Sequence, residues 1–215
     1  MANLAAYRTR ITNSLDDANG KYSDVIIDEA LRKILNEYTR AAPNIKTHTH
    51  TVAAAGRIQT LAAAANLIAI IQLIHPYDST LTDPFVYNRE DFSLTQMDGS
   101  PTLYFFGNDI PEVDEKIYIK YAGKQLIEDL DSAASTTVRD DHEDILIVGA
   151  SGQAAMMRAS GLNEQWGGRP GEMSSLMTWG TKQYSRFFEF IAEIKQESTL
   201  PLFPANFWPL DQWDH

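Results

Sequence analysis

The stretch EYTRAAPNIKTHTHTV, residues 37–52, holds the change from helical to strand patterning that decides the fold. Before it, apolar residues between positions 26 and 38 recur at helical spacing, and Ser23 stands where a helix N-cap is expected. Pro43 ends this helix, because proline has no amide hydrogen to donate and its ring clashes with the preceding turn. The β-branched residues of Ile45–Val52 then favour a strand.

Upstream of this point the sequence predicts a second helix. Leu4, Tyr7, Ile11 and Leu15 fall on one face at helical spacing. The polar run that ends in Gly20 is a stop signal. Two helices joined by a short turn pack as an antiparallel pair, so residues 1–43 are expected to form an N-terminal helical hairpin.

Downstream, residues 44–123 show short strand patterns separated by Gly, Pro and Asp-Gly. The further segments expected to form strands are Arg57–Leu61, Ile68–His75, Phe85–Tyr87, Asp91–Met97, Thr102–Phe106 and Lys116–Tyr121. Because the segments are short and closely spaced, they predict a small antiparallel β unit inserted between helices. Strands at its edges, such as Ile45–Val52, could pair between neighbouring subunits.

Residues 124–197 return to helical patterning. The acidic run Asp140–Asp144 is typical of a helix start, where carboxylates favour the positive end of the helix dipole. Ile145–Gly161 and Gly171–Glu197 are expected to be helices that complete the bundle. The fold class predicted is therefore α+β: a helical bundle made from the N-terminal hairpin and two C-terminal helices, with an inserted antiparallel β unit and an extended tail.

The predicted tail, residues 198–215, contains Pro201, Pro204 and Pro209, which exclude a continuous helix. Its large apolar residues include Leu202, Phe203, Phe207, Trp208 and Trp213. So many exposed aromatic rings would favour aggregation. Two interpretations remain open: the tail folds back over its own helices, or it inserts into a groove on another protein with the aromatic rings as anchors.

Composition excludes several functional classes. The chain has 215 residues, and 18 Lys and Arg against 29 Asp and Glu give a net charge of −11, which disfavours general nucleic-acid binding. It contains no cysteine, so disulfide scaffolds, thiol catalysis and iron–sulfur clusters are excluded. The longest apolar run, residues 61–71, is shorter than the roughly 20 residues that span a bilayer. We therefore expect a soluble protein without an export signal or membrane anchor.

The stretch DILIVGASGQ, Asp144–Gln153, resembles the strand-to-helix opening of a dinucleotide-binding fold. Against a nucleotide site, the acidic run before it is typical of a helix start, no βαβ pattern follows it, and Ala155 occupies the place of the third glycine. The favoured interpretation is a helix with a small-residue face against which another helix lies closely. The small residues are Gly149, Ala150, Gly152, Ala154, Ala155 and Ala159.

Two other groups of residues could bind a metal ion. His48 and His50 would lie on one face of a strand, but no third ligand is evident nearby, and the interleaved threonines favour a solvated strand face. Asp140, Asp141, Glu143 and Asp144 lack the spacing of a calcium loop. No nucleophile, base and orienting group occur together, so we predict no catalytic, cofactor-binding or metal-binding residue and no enzyme activity.

Several stretches carry a family resemblance. Tyr22–Asp24, Ile27–Leu31 and Glu37–Pro43 resemble the N-terminal hairpin of the head-to-tail connector (adaptor, or head-completion) proteins of tailed bacteriophages and prophages. A second set of stretches resembles a later part of the same family, in the family's order. This set comprises Ile117–Ala122, Ile127–Ala133, Thr136-Thr137 and Leu146–Ala155. The alanines at 62–65 and the tail after Leu200 depart from the family pattern.

The resemblance implies a structural virion protein: an adaptor ring subunit that joins the portal to the tail and extends the DNA channel. It implies a homo-oligomeric ring, expected to be twelve-fold, whose partners are the portal protein and a tail or stopper protein. DNA would pass through the lumen without specific binding, since acidic walls repel phosphates. The protein would be made in the bacterial host cytoplasm and reside in the virion neck.

C-terminal segments of such adaptors commonly reach into the portal. The resemblance therefore implies a portal-binding role for Leu202, Phe203, Phe207, Trp208 and Trp213. An alternative is a tail-completion or minor tail protein whose C-terminal segment binds the tail tube. A nucleotide-dependent enzyme that uses Gly149–Gln153 is the third hypothesis.

Overall fold

A computed structural model describes residues 2–17, 20–61, 66–78, 80, 86–87, 91–97, 100–106, 110–164 and 170–199. The fold is α+β, as predicted, and the chain divides into two compact units. The helical unit comprises the described residues up to Ala42 and from Gln125 to Thr199, and the β unit comprises the described residues from Pro43 to Lys124. Of the described helices, none has both the length and the apolar character needed to cross a membrane.

The helical unit contains the two N-terminal and two C-terminal helices that the sequence predicts. They are α1 (Leu4–Ser14), α2 (Asp24–Ala41), α3 (Glu143–Glu164) and α4 (Pro170–Thr199). The side chain of Asn3 caps α1 by accepting from the amide of Ala6, and Ser23 caps α2 by accepting from the amide of Ile26. Each cap satisfies an amide that has no partner inside its helix.

Close contact between α3 and α4 organises the core of the helical unit. An added Cβ at Gly152 would lie 2.8 Å from the carbonyl oxygen of Gly180, and one at Gly180 would lie 2.7 Å from the carbonyl oxygen of Gly152. One turn earlier on α3, the ring of Phe187 lies against Gly149 and is fully buried. The predicted small-residue face of α3 is thus confirmed, and α4 is the helix that approaches it.

The chain leaves the helical unit and re-enters it at neighbouring points. The side-chain amide of Gln125 donates to the carbonyl oxygen of Ala42 at 2.7 Å, and its backbone amide donates to the hydroxyl of Thr39. Thr137 donates to the side-chain oxygen of Gln125 at 2.8 Å. These bonds fix the residues that precede and follow the β unit beside the C-terminal end of α2.

The β unit contains two antiparallel three-stranded sheets, where the sequence predicts one small antiparallel unit. Its strands are β1 (Asn44–Thr51), β2 (Ile58–Thr60), β3 (Leu67–Ile74), β4 (Phe92–Met97), β5 (Ser100–Phe105) and β6 (Lys116–Gly123). Sheet A has the order β1-β6-β3, and sheet B has the order β2-β5-β4. Each central strand comes late in the chain, so most of the pairings are non-local.

Inward-facing residues of both sheets form one hydrophobic cluster. Ile117 and Ile119 of β6 and Leu73 of β3 enter it from sheet A, and Leu103 and Phe105 of β5 enter it from sheet B. Since side chains alternate along a strand, the intervening residues point to the opposite face of each sheet. The β unit is therefore a two-layer structure with two outer faces.

Some element boundaries differ from the sequence predictions. Helix α4 continues to Thr199, so Ser198 and Thr199 are helical, because the first proline of the tail sequence comes only at Pro201. Helix α3 continues past Gly161 to Glu164. In the expected strand at 85–87, Val86 makes an isolated bridge to Ile74, while Phe85 lies outside the described residues.

Two buried tyrosines predict how stability responds to alkaline pH. Burial of the phenol raises the pKa of Tyr38 to about 12 and also raises the pKa of Tyr7. An unfolded tyrosine ionises near pH 10, so the folded protein keeps protons that the unfolded chain loses. This stabilisation is complete below about pH 10 and is lost as the pH rises toward the folded-state values.

We therefore expect the free energy of unfolding to fall with rising pH above about 10, and to fall less steeply in Tyr38→Phe. Urea unfolding followed by circular dichroism at several pH values measures this slope. Because the substitution also removes a hydrogen bond to His142, the slope is the diagnostic quantity and the absolute stability is not. Ionisation of every tyrosine near pH 10 in the native protein would contradict the prediction.

Candidate interaction surfaces

The predicted portal-binding residues lie outside the described part of the chain. They are Leu202, Phe203, Phe207, Trp208 and Trp213. Helix α4, which precedes them, is described to Thr199. Their role as partner-binding residues stays a prediction.

The dinucleotide-like stretch Asp144–Gln153 lies entirely within α3. A phosphate-binding loop of that type needs a strand followed by a turn at the glycines, and this stretch has neither. Its glycines instead face α4: an added Cβ at Gly149 would lie 2.8 Å from the ring of Phe187, and one at Gly152 would meet the α4 backbone. The helical interpretation of this stretch is confirmed.

The acidic run at the start of α3 ties that helix to α1. Glu143 accepts from the backbone amide of Ala2 at 2.9 Å and from the Arg10 guanidinium at 3.0 Å. Arg10 also pairs with Asp144. Nearby, the Arg139 guanidinium holds the pKa of Asp141 below its usual range. The partners of Glu143 and Asp144 lie far apart from them in sequence, and they give these carboxylates structural contacts in addition to the predicted helix-start role.

The two histidines of β1 lie on the same face of the strand, as predicted, with ring centroids 6.5 Å apart. His48 is paired with Ile119 and His50 with Ile117, so both face the inner side of sheet A, and the threonines occupy the outer side. Burial lowers the pKa of His50. Within the described ranges, no three His, Cys, Asp or Glu residues group as a metal site requires.

Two buried histidines make hydrogen bonds that the sequence does not reveal. His75 Nε2 lies 2.9 Å from a carboxylate oxygen of Glu115 in the β unit. His142 Nδ1 lies 2.7 Å from the Tyr38 hydroxyl in the helical unit. Both pairs link residues distant in sequence, so no local motif marks them, and each one joins two segments of its own unit.

Exposed apolar side chains are concentrated on the β unit. Those with large apolar side chains are Ile45, Ile58, Ile68, Ile71, Val86, Tyr104, Phe106, Ile110 and Val113. Monomeric proteins rarely expose large contiguous apolar patches, so such patches usually mark contact sites. The two sheets present this surface differently.

The strands of sheet B contribute no charged side chain to its outer face, and the guanidinium of Arg57, which donates to the carbonyl oxygen of Phe106, borders this face. Ile58 of β2 lies opposite Tyr104 of β5, which lies opposite Ser93 of β4. Phe106 continues this row, with its ring centroid 5.2 Å from that of Tyr104 and 52% of its surface exposed. Among the described strands, β2, β4 and β5 contain no Asp, Glu, Lys or Arg. We call this surface the sheet B face.

The outer face of sheet A carries hydroxyl groups and lysines. Thr47 lies opposite Lys120, which lies opposite Gln72. Thr49 lies opposite Tyr118, whose ring stacks on that of Tyr77 at 5.1 Å. Lys116 and Lys120 lie on this outer side, whereas Lys46 pairs with the inward-facing Tyr121. The described strands β1, β3 and β6 contain no Asp or Glu. We call this surface the sheet A face.

Side-chain alternation along the strands identifies both faces only when the strand pairing is also known. In the run Leu103–Phe106, alternation places Tyr104 and Phe106 on one side and Leu103 and Phe105 on the other. Which of these two sides of β5 is buried depends on its pairing with β2 and β4, and the local sequence does not reveal this pairing.

No protein-family model matches the chain, and no curated protein matches it. Among solved structures, a chain in the neck of a native GTA particle, computed with C12 symmetry, is similar to it. The two chains are 15% identical with a TM-score of 0.30, and the match covers 82% of this chain and 86% of that chain. A similarity of this size does not assign a function.

Proposed function

We propose that this protein is a structural subunit of a tailed-phage neck, an adaptor ring that joins the portal to the tail and extends the DNA channel. The observation that carries the proposal is the set of exposed apolar side chains on both sheets of the β unit, whose described strands contain no Asp or Glu. Such surface suits a protein that works by contact. The order of elements also agrees with the adaptor resemblance of the sequence.

The C-terminal segment supplies the second contact in this proposal. Residues 200–210 carry no charged side chain and include Phe203, Phe207 and Trp208. Large aromatic side chains are the residue types that most often anchor protein interfaces. Together with Leu202 and Trp213, they are proposed to fill apolar pockets on the portal protein.

The net charge of the chain fits a channel component. A ring of copies that each carry −11 surrounds its lumen with negative potential. This potential repels the phosphates of DNA, so the DNA moves through without adhering.

Removal of residues 200–215 tests the role of the C-terminal segment. All described helices end before this cut, so we expect the truncated protein to keep its circular dichroism spectrum and thermal midpoint. We expect it to lose co-purification with the portal protein of the same virus and to fail to complete DNA-filled heads.

A matched control removes residues 211–215 alone, which leaves Phe203, Phe207 and Trp208 in place. This control is expected to keep most of the binding, since most anchors remain. If the protein truncated at residue 199 still completes virions, the assignment of the C-terminal segment is wrong.

A tail-completion role is the second candidate, because the same uncharged aromatic segment would equally fit pockets on a tail tube. A photo-crosslinking residue at position 208 in assembled particles separates the two roles. A crosslink to the portal supports the adaptor role, and a crosslink to the tube protein supports the tail-completion role.

A further inference from the structure

We propose that copies of this chain associate head to tail through the β unit, with the sheet A face of one copy covering the sheet B face of the next. The inference rests on the proposed ring and assigns its lateral contact to named residues. The occupant of each face is therefore a second copy of this chain.

Electrostatics favours these two faces for self-association. Two copies that each carry −11 repel one another, so their contact must avoid placing carboxylates against carboxylates. The described strands of both sheets contain no Asp or Glu. A contact made by these strands therefore brings no carboxylates together, and Arg57 borders the sheet B face at the carbonyl oxygen of Phe106.

The placement of the two faces favours a head-to-tail arrangement. The inner residues of both sheets share one hydrophobic cluster, so the two outer faces point away from each other on opposite sides of the β unit. The faces also differ in chemistry, since one has lysines and threonines and the other has aromatic rings and Ile58. A contact between two different faces repeats from copy to copy and closes into a ring when the rotation allows.

The side chains on the two faces are chemically complementary. Lys120 on the sheet A face brings an ammonium group, and the Tyr104 and Phe106 rings on the sheet B face attract such a cation through their π faces. Lys116 lies at the end of sheet A, where Asp78 and Glu115 line the same surface recess. Hydrogen bonds from the amide and hydroxyl of Thr80 lower the pKa of Asp78, and the ammonium of Lys116 adds to this effect. Because Lys116 already has a carboxylate nearby, Lys120 is the lysine assigned to the contact.

Sedimentation velocity of the full chain over a wide concentration range tests the proposal. We expect the wild type to form species larger than the 24.1 kDa monomer as concentration rises. Thr49→Glu places a carboxylate on the sheet A face, and Phe106→Glu places one on the sheet B face. Each is expected to weaken self-association about 30-fold or more, the loss typical of a disrupted hot spot.

Val25→Glu is the matched control, since Val25 is 69% exposed but lies on α2 of the helical unit. It is expected to leave self-association unchanged. Circular dichroism melting verifies that each variant folds, and Lys120→Glu replaces Thr49→Glu if the edge strand does not tolerate the substitution.

Mixing the two monomeric variants gives the decisive measurement. Thr49→Glu keeps its sheet B face and Phe106→Glu keeps its sheet A face, so a mixture is expected to form a one-to-one dimer that does not grow further. A mixture that stays monomeric, or a wild type that stays monomeric at every concentration, would overturn the inference. Portal co-purification with Thr49→Glu is measured separately, so loss of the lateral contact is distinguishable from failure of the proposed adaptor role.

Discussion

Phe187→Ala is expected to lower the free energy of unfolding by about 3–5 kcal/mol, the usual cost of deleting a buried aromatic ring. Phe187 is fully buried on α4, and its ring lies against Gly149 of α3, beside Ile34 of α2. Removing it opens a cavity where three helices meet. Urea unfolding followed by circular dichroism measures the change.

Phe188→Ala is the matched control, because it removes the same side chain from the next position of α4. Phe188 is 38% exposed, so truncation removes less buried surface and is expected to cost much less. Equal losses at the two positions would show that Phe187 does not occupy the core.

A second substitution tests the contact between Phe187 and Gly149 directly. Gly149→Ala would place a Cβ 2.8 Å from the Phe187 ring, so it is expected to destabilise the wild type. In the Phe187→Ala background the ring is absent, and the same change is expected to cost less. A double-mutant cycle gives the coupling free energy, and additive losses would contradict the contact.

Gly152→Ala is expected to destabilise the protein by about 1–3 kcal/mol, toward the upper end of that range. The added methyl would lie 2.8 Å from the carbonyl oxygen of Gly180 and 2.9 Å from the amide nitrogen of Tyr184. Both are backbone atoms of α4, so relief requires the two helices to separate. The measurement is again the free energy of unfolding in urea.

Gly161→Ala provides a control of opposite sign in the same helix. Nothing lies within 4 Å of an added Cβ at Gly161, so only the higher helix propensity of alanine acts there. This change is expected to stabilise the protein by up to about 1 kcal/mol. Equal effects of the two substitutions would mean that α3 and α4 do not meet at Gly152.

The helices could be predicted from sequence because their signals are local. Apolar spacing and Ser23 located α2, and small residues at Gly149 and Gly152 predicted a close helix contact. The sequence places the end of α4 two residues too early, at Glu197, because helix ends have no sharp local signal and Pro201 is the first residue that must interrupt the helix.

The sheets were harder to predict because their pairing is non-local. Strand β6 lies between β1 and β3, and β5 lies between β2 and β4, arrangements set by burial across the whole β unit. Identifying the sheet A and sheet B faces requires this pairing. Alternation alone does not show whether the side of the strand that carries Tyr104 is exposed or buried. The aromatic C-terminal segment, in contrast, is evident from composition.

The hydrogen bonds from Gln125 to Ala42 and Thr39 have a consequence for how such a chain evolves. They hold the exit and return points side by side within the helical scaffold, so everything between residues 43 and 124 behaves as a cassette. Grafting a different cassette there would alter which neighbours the molecule recognises and leave the scaffold's own interior intact.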